Sequence, residues 1–315
     1  LTRIWDLDKN NKTIWAEGGV TWPDLVAWLK IEQDGSTDVL TIIQKQTGAD
    51  NLTLGGALSS NIHGRVLNRK PIVDDVLAFN IITPDGNRLK CSRKENSDLF
   101  SLAIGGYGML GVIDSVQLKL TQRKNLIRHV EEASIYGVID SFESHADNGA
   151  LYGDFQYMTD ETSSDFLSTG ILSVYSPSEE TNSQNIVLTI DQWKKLYFLA
   201  HTDKAEAYKQ YAEHYKSTNG QIYKSDEHQF SPYLPEAGDL LNKALNFNHY
   251  RSLMISELYV PRSNFIKFME SANKSLKSNN GNLIYGTVRL IDSERDTFLN
   301  WAEKDKTYLE KSTHE

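Results

Sequence analysis

The sequence has little of what marks several common functional classes. Cys91 is its only cysteine, so no intrachain disulfide can form and no multi-cysteine metal site can be built. No apolar run approaches the ~20 residues needed to span a bilayer. No basic patch interrupts a formal net charge of −9 that is spread along the chain. That balance argues against general nucleic-acid or membrane-surface binding. The eight histidines show neither H-x-H nor HExxH spacing, so no metal site is expected. Gly-x-Ser-x-Gly and P-loop patterns are missing, which argues against hydrolase and NTPase chemistry. Without basic residues beside them, the many Tyr and Trp residues read as core and pocket residues rather than a nucleic-acid stacking platform.

At 315 residues the chain suits two domains. Leu1–Asp6 reads like the middle of a domain, and Lys311–Glu315 stops without a clear final element. A fragment lacking both ends of a longer protein is expected. A reducing compartment fits the single cysteine, and a cytoplasmic location is expected.

What is present is glycine in ordered clusters. Thr13–Glu17 reads as a strand, followed by Gly18-Gly19 and then by a helix with Thr21 as N-cap and Pro23 in its first turn. The richest stretch is Leu52–Arg65, where Gly55-Gly56 opens a run of small residues that His63-Gly64 closes. Glycines there allow unusual φ and close approach. Bare N–H groups and Ser hydroxyls would hold phosphate or ribose, and His63 can donate, accept or carry charge near neutral pH. The alternation of Val73–Thr83, the Pro84–Asn87 turn and Arg88–Ser92 predict a hairpin. Ser97–Ala103 reads as a helix and Val112–Leu120 as a strand. Gly106–Gly111 matches GxGxxG, but a dinucleotide-binding motif needs a strand before it and a helix after it. Here that order is reversed, and a Rossmann reading is rejected.

From about Thr121 glycines thin out. Leu151–Tyr157, Arg251–Val260 and Asn282–Leu290 read as strands, with helices around Ala205–Tyr215 and Asn264–Lys277 and a polar loop at Ser176–Asn185. An α+β domain follows, its sheet covered by helices on one face and free on the other to cover a ligand. His201 and His214 read as surface residues on helices.

The ordered series Gly18–Thr21, Thr53–Ala57, Ile62–Gly64, Pro84–Gly86 and Gly105–Ile113 resembles the FAD-binding domain of the vanillyl-alcohol oxidase superfamily, the PCMH-type fold. Within it the chain is most similar to the branch of sugar and aldonolactone oxidases, alditol oxidase and decaprenylphosphoryl-ribose oxidase. The resemblance implies an α+β protein. Residues 1–122 would form an FAD-binding PCMH-type domain lacking its first Gly-rich loop. Residues 123–315 would form a substrate domain with an antiparallel sheet. It further implies that Gly48, Thr53, Gly55, Gly56 and Ser59 line the pyrophosphate and ribose of FAD. Ile62, His63 and Gly64 would approach the flavin ring, and Gly111, Val112 and Ile113 the adenine end. Relatives carry an Arg-Gly-x-Gly-x-Ser loop upstream of the segment matching Leu1–Ile4, and a Lys, His or Asn beyond Glu315; both are expected in the parent protein.

The implied activity is FAD-linked oxidation of a CH–OH group by hydride transfer to flavin N5, the substrate being a polyol, sugar or aldonolactone and the electron acceptor oxygen or another carrier. Catalytic candidates are His63, Glu257, Tyr259 and Arg289. Glu257 and Tyr259 share a strand face. Arg289 shares one with Tyr285 and Thr287, and would clamp substrate or pair with Glu257. Asp154, Gln156, Phe155 and Tyr157 are further pocket candidates. Two alternatives stay open: an FAD- and NAD(P)H-dependent double-bond reductase of the same fold, and a non-catalytic flavoprotein fragment.

Overall fold

The computed structural model describes residues 1–181, 186–231, 234, 237–245, 253–303 and 307–314, with side chains for all but 237, 240, 253 and 307–314. Arg251 and Ser252 of the expected strand, His249, and residues 182–185 of the expected polar loop lie outside that set. The chain divides into two compact units. Unit 1 comprises 1–124, 224–231 and 291–304; unit 2 comprises 125–223, 232–290 and 305–315.

Unit 1 contains strands β1 (Ile4–Asp8), β2 (Thr13–Glu17), β3 (Leu40–Ile42), β4 (Val76–Ile82), β5 (Arg88–Ser92) and β6 (Val112–Gln122). Its helices are α1 (Trp22–Glu32), α2 (Leu54–Ser59) and α3 (Ser97–Ala103). The strands form one antiparallel sheet in the order β1-β2-β6-β4-β5, with β3 pairing β6 at its far end. Thr21 caps α1 as its sequence implies, its hydroxyl accepting from Asp24 N at 3.4 Å. Leu25, Val26 and Leu29 of α1 join Leu54, Ala57 and Leu58 of α2 in the core over the sheet, with Ile14, Phe79 and Val116. The GxGxxG segment follows α3 and precedes β6, the order that excluded a Rossmann turn.

Unit 2 contains β7 (Asn125–Ser134), α4 (Val138–Asp147), β8 (Tyr152–Tyr157), β9 (Thr169–Ser178), α5 (Ile190–Thr202) and α6 (Lys204–Ser217). The short β10 (Ile222–Lys224) runs across the unit boundary, and α7 (Ala237–Ala244), β11 (Leu253–Val260), α8 (Phe265–Ser278), β12 (Asn282–Val288) and β13 (Thr307–His314) follow. The sheet runs β10-β7-β9-β8-β12-β13-β11. Ser176–Ser178, expected in a loop, complete β9.

Alternation divides this sheet into two faces. One carries Gly153, Phe155 and Val174, and Phe142 of α4 packs so closely on Gly153 that a Cβ there would meet its ring at 3.0 Å. The opposite face, expected to be free, is covered over part of its width. Tyr215 of α6 lies over Arg128 of β7, 4.7 Å from guanidinium carbon to ring centre. The α5–α6 pair is amphipathic only weakly and buries few whole side chains, which is why its sequence does not announce a covering layer. The same packing half-buries His201 and His214, which the sequence places at the surface.

Candidate functional site

Unit 1 gathers the glycine motifs into one wall. Gly18 N donates to Asp114 O at 2.6 Å, and Gly55 N donates to Gly18 O at 2.8 Å. On the other side of α2, Gly105 N donates to Leu58 O and Tyr107 N to Ser59 O, each at 2.9 Å. Segments 18–21, 53–59 and 105–114 therefore meet through their backbones. Gly18 is required there: a Cβ would sit 2.2 Å from Ile113 O.

This geometry corrects one expectation. Gly55 and Gly56 adopt ordinary helical φ, and the amides at the start of α2 are not bare. Leu54 N donates to Val20 O, Gly55 N to Gly18 O, and Gly56 N to the Thr53 hydroxyl at 3.2 Å. The short Thr21–Thr53 bridge brings the carbonyls of the preceding loop onto the helix start, so those donors are used inside the protein. The hydroxyls of Ser59 and Ser60 donate to Gly55 O and Gly56 O, leaving their oxygens able to accept.

The remainder of the wall suits a cofactor with a flat ring and a polar chain. Gly48 has φ +89° and open space where a Cβ would stand. Beside it the Thr47 hydroxyl is buried without a partner. Gly55, Gly56 and Ser59 are half-buried, while Tyr107, Met109 and Val112 present exposed apolar surface, Val112 next to Gly111 and the buried Ile113. These residues are of the kinds that such a group needs: small residues and hydroxyls for its chain, apolar side chains for a ring.

The loop bearing Thr47 and Gly48 is fixed by a residue the sequence did not single out. Lys45 is fully buried; its Nζ pairs with Asp50, donates to Gln46 O at 2.8 Å and Gln229 O at 3.0 Å, and lies 4.7 Å from the Phe230 ring centre. No local pattern points to it, because Gln229 and Phe230 arrive from far along the chain.

Ile62, His63 and Gly64 are buried, His63 at 3% exposure. His63 Nδ1 lies 3.1 Å from Gly64 O, a bond it makes when Nδ1 carries a proton. Gly64 is packed against Lys45 O, so its lack of a Cβ serves the fold.

Unit 2 brings the other candidates onto one face. Register places Glu257, Thr287 and Gln156 in a single row: Glu257 and Thr287 both pair with position 310, and Thr287 pairs with Gln156. The next row holds Tyr259, Arg289 (one residue past β12) and Asp154. Tyr259 OH donates to Glu257 Oε2 at 2.7 Å, and Gln156 Nε2 to Asp154 Oδ2 at 2.8 Å. Glu257 and Tyr259 are partly exposed, whereas Arg289, Asp154, Gln156 and Thr287 are buried. Phe155 and Tyr157 point to the opposite face from Asp154 and Gln156. Strand β13 runs between β11 and β12, so Glu257 and Arg289 are not on neighbouring strands. Two strand spacings, about 10 Å, separate their backbones.

Arg128 is a second buried arginine on this face. It donates to Tyr175 OH and, at 2.8 Å, to the Thr218 hydroxyl, within the rings of Tyr175, Tyr215 and Tyr223. Burial opposes its charge, and the three phenols outweigh that and raise its pKa. Among the described residues no helix is long and apolar enough to cross a membrane, and no His, Cys, Asp and Glu side chains group as metal ligands.

Comparison with known proteins agrees with the wall in unit 1. Residues 1–92 match the family described as FAD binding domain. L-galactono-1,4-lactone dehydrogenase 2, mitochondrial, of Oryza sativa subsp. japonica is 30% identical over 129 residues, 41% of this chain and 21% of that protein. L-gulonolactone oxidase of Mus musculus is 27% identical over 146 residues, 46% of this chain and 31% of that protein. Cytokinin dehydrogenase 2 of Arabidopsis thaliana is 32% identical over 123 residues, 38% of this chain and 23% of that protein. The matched stretches span about a fifth to a third of these relatives. The N-terminal part of the chain is thus an FAD-binding region of the PCMH type, related to that of the aldonolactone oxidases and cytokinin dehydrogenases of the vanillyl-alcohol oxidase superfamily.

Proposed function

We propose that this chain belongs to an FAD-dependent oxidoreductase that oxidises a CH–OH group of a polyol, sugar or aldonolactone. The observation that carries this reading is the convergence of the three glycine motifs into one wall, the first two of them within residues 1–92, which match FAD-binding domains. Bound FAD would supply the redox chemistry, taking hydride at N5 from the carbinol carbon.

The chain's own residues bind, orient and handle the proton. Gly48, Thr53, Gly55, Gly56 and Ser59 border the polar chain of the cofactor, and Gly111, Val112 and Ile113 its adenine end. Ile62, His63 and Gly64 border its ring system. His63, whose ring is placed by Gly64 O, would take the substrate hydroxyl proton. Glu257, held by Tyr259, accepts from substrate hydroxyls, and Arg289 donates to a carbonyl or carboxylate oxygen. Unit 1 then serves the cofactor and unit 2 the substrate, with oxygen or another carrier as electron acceptor.

An absorption spectrum tests the reading. The purified chain is mixed with FAD, freed of excess by gel filtration, and precipitated with acid. Oxidised-flavin bands that remain after filtration and pass into the acid supernatant are the expected result. A colourless protein that takes up no added FAD overturns it.

A further inference from the structure

Unit 2 holds a partly open cavity of about 260 Å³ between α5, α6 and strands β8 and β12. Trp193, Leu196, Tyr197, Tyr208, Ile284 and Tyr285 are among its lining residues, and among the described residues no Lys, Arg, Asp or Glu lines it. One lining residue carries an unpartnered polar atom. Gln156 is 7% exposed, and with its Nε2 committed to Asp154 its buried Oε1 has no hydrogen-bond partner. The hydroxyl of Tyr211, which also lines the cavity, is hydrogen-bonded to Tyr215. Burying the Gln156 oxygen unpaired is costly, so a ligand that meets it is favoured.

Size and chemistry narrow the ligand. An apolar cavity of about 150 Å³ holds benzene, so this one takes a bicyclic ring. A lining without counter-charge disfavours an ion. The geometry points to an uncharged, flat ligand of bicyclic size whose single hydroxyl or N–H donates to Gln156 Oε1. Gln156 also stands in the row of Thr287 and Glu257, which makes this ring the non-reacting end of an amphipathic substrate. That last assignment rests on the oxidoreductase reading; the cavity's preference for a neutral ring does not.

Calorimetric titration of the full chain with 2-naphthol and with 2-methoxynaphthalene, which has the same rings without the donor, tests the proposal. Saturable binding is expected, with 2-naphthol tighter by ~3- to 10-fold. Ala207→Phe and Ala200→Leu, which fill the cavity from α6 and α5, each weaken 2-naphthol by about tenfold or more. Using two fillers guards against one that fails to fold, as judged by circular dichroism. Gln156→Met is expected to remove the preference for 2-naphthol while keeping 2-methoxynaphthalene binding. Trp193 is the only tryptophan in unit 2, so quenching lost in Trp193→Phe localises the ligand. No saturable heat, or equal binding by folded filled variants, overturns the proposal. Flavin uptake is measured separately, so its failure leaves these titrations unchanged and sinks only the oxidoreductase reading.

Discussion

The indole of Trp301 packs against the imidazole of His63, with ring centres 5.5 Å apart and planes inclined at 60°. Trp301 Nε1 donates to Asn61 O at 3.1 Å, and Glu294 accepts from Asn61 Nδ2 at 3.4 Å, so Glu294 and Trp301 clamp the end of the His63 loop. A ring held in this way needs little reorganisation for the proton transfer proposed above.

His63→Ala is therefore expected to slow reduction of bound flavin by at least about a hundredfold when L-galactono-1,4-lactone is the probe. The melting temperature should fall by only a few degrees, because Trp301 keeps its bond to Asn61. Stopped-flow absorbance per bound flavin measures the first effect. A variant that reduces its flavin as fast as the parent assigns His63 to packing alone.

Gly18 and Gly48 separate fold from cofactor. Gly18→Ala drives a Cβ into Ile113 O and is expected to destabilise unit 1 by about 1–3 kcal/mol. Gly48→Ala meets no atom but strains a φ of +89°, at a cost of about 1–2 kcal/mol. In the proposed function it also weakens FAD. Urea melts and FAD titrations of both variants should show the larger stability loss at Gly18 and the larger affinity loss, per unit of stability, at Gly48. The reverse pattern would move the cofactor away from the Gly48 loop.

Lys45→Met removes one partner of a buried ion pair and takes the lysine donor from Asp50 Oδ1 and from the carbonyls of Gln46 and Gln229, while Asp50 keeps its bond from Ser231 N. A loss of about 3–5 kcal/mol is expected. The paired change Lys45→Met with Asp50→Leu should recover part of it. If the double variant is no more stable than the single one, the ion pair is not what holds this loop.

Unit 2 should weaken in mild acid. Burial first, and Lys204 second, lower the pKa of His201 from 6.5 to about 4. The folded state then binds fewer protons than the unfolded state between those values, so stability is complete above pH 6.5 and is lost as pH falls toward 4. His214 shifts in the same direction, through burial and Arg128. His201 is only half-buried, so its share is about 1–2 kcal/mol after solvent screening. Thermal melts at pH 7.0 and 4.5 should show a smaller drop for His201→Gln than for the parent. Identical pH dependence would place the acid sensitivity elsewhere.

Local chemistry was legible in the sequence wherever it is decided locally. Thr21 and Pro23 marked the start of α1, Pro84–Asn87 marked the turn between β4 and β5, and the elements flanking Gly106–Gly111 excluded a Rossmann turn. Glu257 and Tyr259 were placed on one face by period alone, and their hydrogen bond bears that out. What could not be read depends on distant partners. The carbonyls of Gly18 and Val20 occupy the amides thought bare at Gly55 and Leu54. Strand β13, last in sequence, inserts between β11 and β12 and separates Glu257 from Arg289. Lys45 was not singled out, because its partner Gln229 lies far along the chain and meets it only when folded.

The interleaving of unit 1 has a consequence for how the protein is made. Its first 124 residues contain the whole six-stranded sheet, yet Lys45 waits for Gln229, and His63 and Asn61 wait for Trp301 and Glu294. On a ribosome, these contacts form only after the segments bearing Gln229, Glu294 and Trp301 have emerged, closures that span about 180 to 240 residues of chain. The first 124 residues expressed alone would carry a lysine without the Gln229 carbonyl that its ammonium meets in the folded chain.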